Sequence, residues 1–347
     1  MRVRLSGPLA FVVAAALCSG CVDHNLAHPR TAPVGVHEWS DSAVRGKLLV
    51  RLEWAAPAGE GRLPTVIVHP EAGHEAVEMR GILRDLAAHG YLAVAADYRR
   101  AIGGRYRETL FTWRDQQDVR AVFDLVGASP LVDPARIGLL GFSQGGVYSL
   151  SIAAQTGNAA AVVAYYPVTD FEQWLEESAS GPGRRWVFRL IRRHFFRQSG
   201  AKTDDEFREL LARASPLRQA EHIRCPVLLI HGDRDKSAGV EQSRRLAARL
   251  RELGTPVELL EVPGAGHVFN FRDEAQAELA WAATLRWLDS YTADHAKRLD
   301  APRSPAPVPE ASRPLARGLV GCCRGDGAID RDGAAARHPS RRHRPHG

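Results

Sequence analysis

Cysteine is scarce and scattered in this 347-residue chain, which argues against a framework of disulfide bonds. Small proteins that depend on disulfides carry a dense set of cysteines at regular spacing. The five cysteines here are Cys18, Cys21, Cys225, Cys322 and Cys323. The last two lie in the tail, where we do not predict a zinc site. Because Cys225 precedes a proline at the start of an apolar run, we expect it to be a buried free thiol.

The N-terminal apolar run, residues 8–17, is shorter than the roughly 20 residues needed to cross a bilayer. Arg2 and Arg4 precede it, which is the pattern of a signal peptide over residues 1–21. The next residues, Ser19-Gly20-Cys21, resemble the end of a bacterial lipobox. That resemblance implies lipidation of Cys21 and a membrane-anchored lipoprotein; cleavage to a soluble periplasmic protein is the alternative. Either outcome predicts export.

An excess of positive charge is also missing from the part of the chain that should fold. The net charge of +6 comes from Arg2 and Arg4 and from nine arginines against four acids after residue 300. Residues 5–300 carry a net charge of −1. The sequence therefore predicts no nucleic-acid partner. The tail over 300–347 is rich in Pro, Arg, Gly and Ala without apolar periodicity, so we expect a disordered basic tail.

Short apolar runs alternate with segments of helical periodicity through most of the chain, which predicts an α/β protein with a mostly parallel sheet covered on both faces. We expect a linker with an early strand over 22–44 and one catalytic domain over 45–292. Residues 168–222 interrupt the alternation with three predicted helices and no strand, which favours a helical cap. Its segment 184–197 carries six arginines and several aromatic residues. We expect the aromatic face to pack in the cap, with a membrane-surface helix as the alternative.

The pentapeptide Gly141-Phe142-Ser143-Gln144-Gly145 lies between a predicted strand and a predicted helix. This is the nucleophile-elbow pattern, in which a sharp turn exposes a serine hydroxyl above the sheet. Glycine is needed on both sides because a Cβ there would clash with the neighbouring backbone. About 0.14 such pentapeptides are expected by chance in a chain of this composition, so the bare motif is moderate evidence. Its position between a strand and a helix carries the prediction that Ser143 is a nucleophile.

A serine nucleophile needs an imidazole base, and the imidazole needs a carboxylate that orients it. His267 lies in a glycine-rich loop after the last predicted strand, and Asp235 lies in the loop after the preceding one. Parallel strands end at one edge of the sheet, so these side chains and Ser143 can converge. Asp233 and Asp170 are alternative acids that also follow strands.

An oxyanion hole needs two N–H donors. The residue after the nucleophile, Gln144, supplies one. The other should come from the loop after the strand over 65–69, where Pro70 has no N–H. We therefore expect Glu71, with Ala72 as the alternative. Tyr98 and Arg99 follow another strand and are candidate substrate-binding residues.

These motifs together resemble the catalytic domain shared by dienelactone hydrolases and the prolyl oligopeptidase group of α/β-hydrolases. The resemblance covers residues 45–292 and rests on Asp133-Pro134-Ala135-Arg136-Ile137-Gly138, Gly141-Phe142-Ser143-Gln144-Gly145-Gly146, Ser215-Pro216, the run from Cys225 to Asp235, and Val262-Pro263-Gly264-Ala265-Gly266-His267. It implies an α/β-hydrolase fold and a Ser143, Asp235, His267 triad, without a metal or organic cofactor.

Two differences from these families shape the expected activity. Dienelactone hydrolases use cysteine where this chain has Ser143, and oligopeptidases carry an N-terminal propeller that we do not expect here. We therefore predict a serine hydrolase that acts on small carboxylic esters or lactones through an acyl-enzyme. The alternative is a small peptidase or aminoacyl amidase that acts on short peptides. A non-catalytic binding lipoprotein is the competing hypothesis from another class.

Overall fold

The computed structural model describes residues 22–45, 48–59, 61–97, 100–101, 113–179 and 185–292. The predictions for the signal peptide, for Cys21, for Tyr98 and Arg99 and for the tail concern residues outside these ranges. Nine strands lie in the described part: β1 (Val36–Arg45), β2 (Leu48–Pro57), β3 (Leu63–His69), β4 (Leu92–Ala96), β5 (Arg100–Ala101), β6 (Val132–Phe142), β7 (Ala161–Tyr165), β8 (Val227–Gly232) and β9 (Val257–Val262). The α-helices are α1 (Arg80–Ala88), α2 (Trp113–Gly127), α3 (Gln144–Thr156), α4 (Phe171–Ala179), α5 (Arg185–Ser199), α6 (Asp204–Ala214), α7 (Glu241–Glu252) and α8 (Glu274–Thr292). Short 3₁₀ helices span Ala76–Met79, Pro216–His222 and Phe269–Phe271.

The strands form one sheet in the order β1-β2-β4-β3-β6-β7-β8-β9, with β5 beside β2. Neighbouring strands along the stretch β4-β3-β6-β7-β8-β9 pair in parallel. Strands β1, β4 and β5 each pair antiparallel with β2. The central strands are short apolar runs because both of their faces are buried. This mostly parallel sheet confirms the predicted α/β-hydrolase fold.

Side chains that alternate along each strand build a separate core on each face of the sheet. On β3, Ile67 packs into the core that α2, α3 and α7 cover, while Val66 and Val68 pack into the opposite core, which α1 and α8 cover. Cys225 is buried and free, as predicted. Burial raises the pKa of its thiol to about 12, so the thiol stays protonated near neutral pH.

The chain between β7 and β8 contains α4, α5 and α6 and no strand among its described residues. Their apolar side chains form a third core against α3: Val147, Val168, Phe171, Leu175, Phe195, Phe207, Leu211, Ala214 and Ala238. Phe195 on α5 is buried in this core, in agreement with the prediction that the aromatic face of the basic helix packs in the insertion. The role of this insertion as a cap stays a prediction. None of the helices in the described residues is long and apolar enough to cross a membrane.

The segment 22–44, expected to hold a linker and an early strand, contains most of strand β1. This strand begins at Val36 and pairs with β2 along ten residues, from Val36 opposite Pro57 to Arg45 opposite Leu48. Ahead of β1, the Asp23 N–H donates to the carbonyl of Phe271. The polar composition of this segment gave no bounds for the strand, because an edge strand with exposed side chains lacks an apolar face.

Candidate active site

Ser143 occupies a strained turn between β6 and α3. Its φ of 51° and ψ of −110° are rare for a residue with a side chain, and such a conformation costs on the order of 1–3 kcal/mol. The Ser143 N–H donates to the Tyr165 carbonyl at 2.9 Å, which ties the turn to the end of β7. The predicted elbow therefore exists as a strand, a strained serine and a helix in sequence.

Two glycines make this turn sterically feasible. A Cβ on Gly141 would lie 2.1 Å from the carbonyl oxygen of Gly145. A Cβ on Gly145 would lie 2.0 Å from the carbonyl oxygen of His69 and 2.6 Å from that of Pro70. Glycine at both positions lets the elbow pack directly against the loop that follows β3.

The three side chains predicted as nucleophile, base and acid are adjacent at the carboxyl edge of the sheet. His267 Nε2 lies 3.1 Å from Ser143 Oγ, and His267 Nδ1 lies 2.6 Å from Asp235 Oδ2. The other carboxylate oxygen of Asp235 accepts the N–H groups of Ser237 and Ala238 at 2.7 and 2.9 Å. Both oxygens of Asp235 are thus held, and the residue is only 8% exposed.

The two alternative acids accept backbone N–H groups and do not contact His267. Asp233 accepts the N–H of Gly264 at 2.7 Å, which joins the loops after β8 and β9. Asp170 accepts the N–H of Gln173 at 3.2 Å at the start of α4. The structure therefore places Asp235, rather than Asp233 or Asp170, against His267.

The pairing of Asp235 with His267 sets the protonation states of both side chains. Burial alone would raise the pKa of Asp235, but the charges and hydrogen bonds of His267 and His231 outweigh burial and hold the pKa far below its ordinary value. Burial lowers the pKa of His267, whereas Asp235 and then Glu71 raise it, and the net direction is upward. A carboxylate that stays ionised beside an imidazole of raised pKa is suited to a base that receives a proton from serine.

The two predicted oxyanion donors also lie at this edge. Gln144 is the first residue of α3, so its N–H has no acceptor in the preceding helical turn. Glu71 follows Pro70, whose carbonyl oxygen lies beside Gly145 of the elbow, and Glu71 itself is buried. The structure does not choose between the N–H groups of Glu71 and Ala72, so both stay predictions. Tyr98 and Arg99 are not among the described residues.

Sequence reasoning missed His231 and Tyr166. His231 is fully buried at the end of β8, bonded to Ser243 Oγ at 2.7 Å, with Nε2 3.4 Å from Asp235 Oδ2. Tyr166 has φ of 38°, and its ring lies 4.7 Å from that of His267. Its hydroxyl donates to Asn270 at 2.7 Å. The only signal for these residues was their position directly beside predicted strand ends, since their contacts are with residues distant in sequence.

A second group of polar side chains surrounds Glu71. His24 Nε2 lies 3.3 Å and His74 Nε2 lies 3.1 Å from Glu71 Oε1. Among the described residues, His24, Glu71 and His74 are a group with a spacing that suits a metal ion. No metal was predicted at this position.

Comparison with known proteins assigns the family. The sequence model described as the prolyl oligopeptidase family matches residues 80–295, more than half of the chain. The chain belongs to the prolyl oligopeptidase family. The match includes the elbow with Ser143 and both loops that carry Asp235 and His267, so these three residues all lie in the part of the chain that defines membership of this family.

Curated relatives of this prolyl oligopeptidase family member include proteins named as peptidases and as esterases. It is 30% identical to the uncharacterized peptidase YtmA of Bacillus subtilis, over 51% of this chain and 65% of that protein. It is 30% identical to the esterase LipC of Mycobacterium tuberculosis, over 59% of this chain and 51% of that protein. The chain thus spans less than two thirds of the length of these relatives.

Solved structures agree on the fold of this family member. A puromycin-hydrolyzing peptidase of Mycobacterium tuberculosis superposes with a TM-score of 0.63 at 23% identity, over 76% of this chain and 41% of that chain. A putative dienelactone hydrolase of Klebsiella pneumoniae superposes with a TM-score of 0.54 at 23% identity, over 74% of this chain and 99% of that chain. Both groups named in the predicted resemblance are therefore present among its structural neighbours.

Proposed function

We propose that this protein is a serine hydrolase that cleaves small carboxylic esters or lactones through an acyl-enzyme. The observation that carries the proposal is the continuous chain from Asp235 through His267 to Ser143, with separations of 2.6 and 3.1 Å. A carboxylate, an imidazole and a serine hydroxyl in this order can generate a nucleophile near neutral pH.

In the first half of the reaction, Ser143 Oγ attacks the ester carbonyl carbon while its proton passes to His267 Nε2. The negative charge on the carbonyl oxygen is stabilised by the N–H of Gln144 and by that of Glu71 or Ala72. The bond to the alcohol oxygen then breaks, and His267 returns the proton to the leaving alcohol. Asp235 stabilises the imidazolium that exists between these two transfers.

In the second half, water attacks the acyl group on Ser143 and gives its proton to His267. The carbon–Oγ bond breaks, the serine oxygen recovers the proton, and the carboxylic acid leaves. Each oxyanion donor is expected to contribute roughly 10²–10³-fold to turnover. The chemistry uses only side chains and backbone groups of this chain.

A small peptidase or aminoacyl amidase is the second candidate. It is favoured by the prolyl oligopeptidase family match and by relatives whose names are peptidases. The triad chemistry is the same, with an amine as leaving group. The esterase candidate is favoured by the named esterase among the relatives. The two are separated by kcat/KM for a matched pair of substrates, an aminoacyl p-nitrophenyl ester and the corresponding p-nitroanilide.

The decisive experiment is labelling of the purified protein with a fluorophosphonate, followed by peptide mass spectrometry. One adduct on Ser143 in the wild-type protein, absent from Ser143→Ala and His267→Ala, is the expected result. A folded wild-type protein that gains no adduct and hydrolyses none of the ester or anilide substrates would refute the proposal and favour a non-catalytic binding protein. Asp233→Asn is the matched control and should label normally, because Asp233 contacts the loop backbone rather than His267.

Export with lipidation of Cys21 is proposed on the N-terminal pattern of arginines, apolar run and Ser19-Gly20-Cys21. Expression in a bacterium fed an alkyne-labelled fatty acid tests it. Incorporation into the wild-type chain and not into Cys21→Ala is expected. A wild-type chain that is exported without label supports cleavage to a soluble protein instead.

A further inference from the structure

The loop after β3 and the segment ahead of β1 together carry a compact set of metal-ligating side chains that the proposed hydrolysis does not use. His24, Glu71 and His74 each offer one ligand atom, and these atoms lie within 4.8 Å of one another. His24 is 6% exposed and Glu71 is 7% exposed. His24 and Glu71 are 47 positions apart in the sequence, so the tertiary fold and not the local sequence brings the group together.

The distances fit a single small cation. Bonds of about 2.0–2.2 Å in a tetrahedral zinc site place neighbouring ligand atoms roughly 3.3–3.5 Å apart. The distances from Glu71 Oε1 to His24 Nε2 and to His74 Nε2 are 3.3 and 3.1 Å. Two imidazoles and one carboxylate form a ligand set common in zinc sites that keep a position open.

Glu78 holds the ring of His74 in an orientation suited to a metal ligand. Glu78 Oε1 lies 3.1 Å from His74 Nδ1 and 4.0 Å from His24 Nδ1. When His74 carries its proton on Nδ1 and donates it to Glu78, the Nε2 atom has a free lone pair on the side of Glu71. Glu78 is itself fixed, because its other oxygen accepts the Glu75 N–H at 2.7 Å. Carboxylate, histidine and metal in this order recur in protein metal sites.

A second feature of Glu71 favours a cation as its partner. Its second oxygen, Oε2, is buried and has no hydrogen-bond partner within the described residues. A buried carboxylate oxygen without a partner is costly, and such atoms in folded proteins normally have a hydrogen bond or an ion. A cation bound by the Glu71 carboxylate would satisfy this oxygen as well as Oε1.

The backbone around the cluster is held in place. The ring of His24 lies 4.5 Å from that of Phe271, and the neighbouring Asp23 N–H donates to the Phe271 carbonyl at 3.0 Å. The His74 N–H donates to the Glu71 carbonyl at 3.2 Å, in a turn where Gly73 has φ of 85°. These contacts keep the three ligands together before a metal arrives, which reduces the ordering cost of binding.

From these observations we infer that His24, Glu71 and His74 form a site for one divalent transition metal of the zinc type, with Glu78 as the side chain that orients His74. The site adjoins the catalytic edge, because Glu71 acts on His267 by its charge. The inference does not depend on the proposed hydrolysis, since metal binding is measured directly.

The test uses the full chain after chelator treatment, titrated with Zn²⁺ by calorimetry and with Co²⁺ by visible absorption. The wild-type protein should bind one more Zn²⁺ than His24→Ala or His74→Ala, and its Co²⁺ complex should show the intense d–d bands of a four- or five-coordinate site. Histidines and cysteines in the C-terminal tail are identical in every variant, so their contribution cancels. His222→Ala removes an exposed histidine outside the cluster and should bind like the wild type.

Glu78→Gln provides a second test in case an alanine variant of a ligand residue does not fold. Glu78→Gln retains the size of the side chain and should weaken Zn²⁺ binding by roughly 10–100-fold, the usual effect of losing the partner of a metal-bound histidine. Equal stoichiometry, affinity and Co²⁺ spectra in the wild type, in the folded ligand variants and in Glu78→Gln would overturn the inference. The cluster would then be a set of hydrogen bonds that joins the N-terminal segment to the loop after β3.

Discussion

Replacement of Gly145 by alanine tests how the elbow depends on close contact with the loop after β3. The added Cβ would lie 2.0 Å from the His69 carbonyl oxygen, whereas Cβ atoms essentially never approach a neighbour within 3.0 Å. The elbow and the loop must therefore separate by about 1 Å. That loop carries the second predicted oxyanion donor, and the elbow carries Ser143 and the first one.

The magnitude follows from this displacement. A misplacement of about 1 Å costs roughly 10²-fold in rate, or about 2.7 kcal/mol in the activation barrier. Forcing one methyl group into a packed region also costs about 1–3 kcal/mol of folding stability. We expect kcat to fall by about two orders of magnitude while KM changes little, because donors that act in the transition state are displaced.

The assay is steady-state hydrolysis of a short-chain p-nitrophenyl ester, together with a urea unfolding curve for each variant. Gly127→Ala is the matched control, because a Cβ there would meet only Ile137 Cδ1 at an ordinary 3.6 Å at the end of α2. It should leave kcat unchanged and stability unchanged or slightly raised. A Gly145→Ala protein with wild-type kcat and a wild-type unfolding midpoint would refute the steric reasoning.

Three further predictions concern the triad and the helical insertion. Asp235→Asn should lower kcat by about 10³–10⁴-fold without unfolding the protein, since the amide cannot stabilise the imidazolium; turnover close to wild type would contradict the assignment of this acid. The pKa of His267 is raised, and only neutral His267 can accept the proton of Ser143, so kcat/KM should rise with pH through a midpoint above 6.5. The same two shifts make the free energy of unfolding depend on pH. The raised pKa of His267 gives stability that is present below its unfolded pKa and is lost as pH rises through the folded pKa. The lowered pKa of Asp235 gives stability that is present above its unfolded pKa and is lost in acid. A kcat/KM profile with its midpoint at or below 6.5 would show that the histidine is not coupled to a carboxylate as the structure has it. Phe207→Ala should cost about 3–5 kcal/mol of stability because its side chain is 1% exposed in the core of the insertion, whereas Leu190→Ala, 41% exposed on α5, should change stability by about 0.5 kcal/mol or less in the same denaturation assay.

The sequence by itself determined the parts of this protein that depend on local patterns. Apolar runs and helical periodicity predicted a mostly parallel sheet covered by helices on both faces, because burial on both faces of a sheet imposes such runs. They also predicted the three helices of the insertion over 168–222. The two glycines around Ser143 predicted the elbow, since no other residue fits a turn in which a Cβ would lie about 2 Å from a carbonyl oxygen.

Tertiary structure decided what local patterns left open. Asp233 and Asp235 are two residues apart and equally suited to a turn, and only the packing of the loops after β8 and β9 brings Asp235 to 2.6 Å from His267 while Asp233 binds a backbone N–H. The bounds of the polar edge strand β1 were left open for a related reason, because its partner is supplied by β2 and not by its own apolar pattern. His24 meets Glu71 across 47 residues, and no periodicity in the sequence reports a contact of that range. Close approach between distant segments is fixed by the packed fold, so the histidine cluster became visible only in three dimensions.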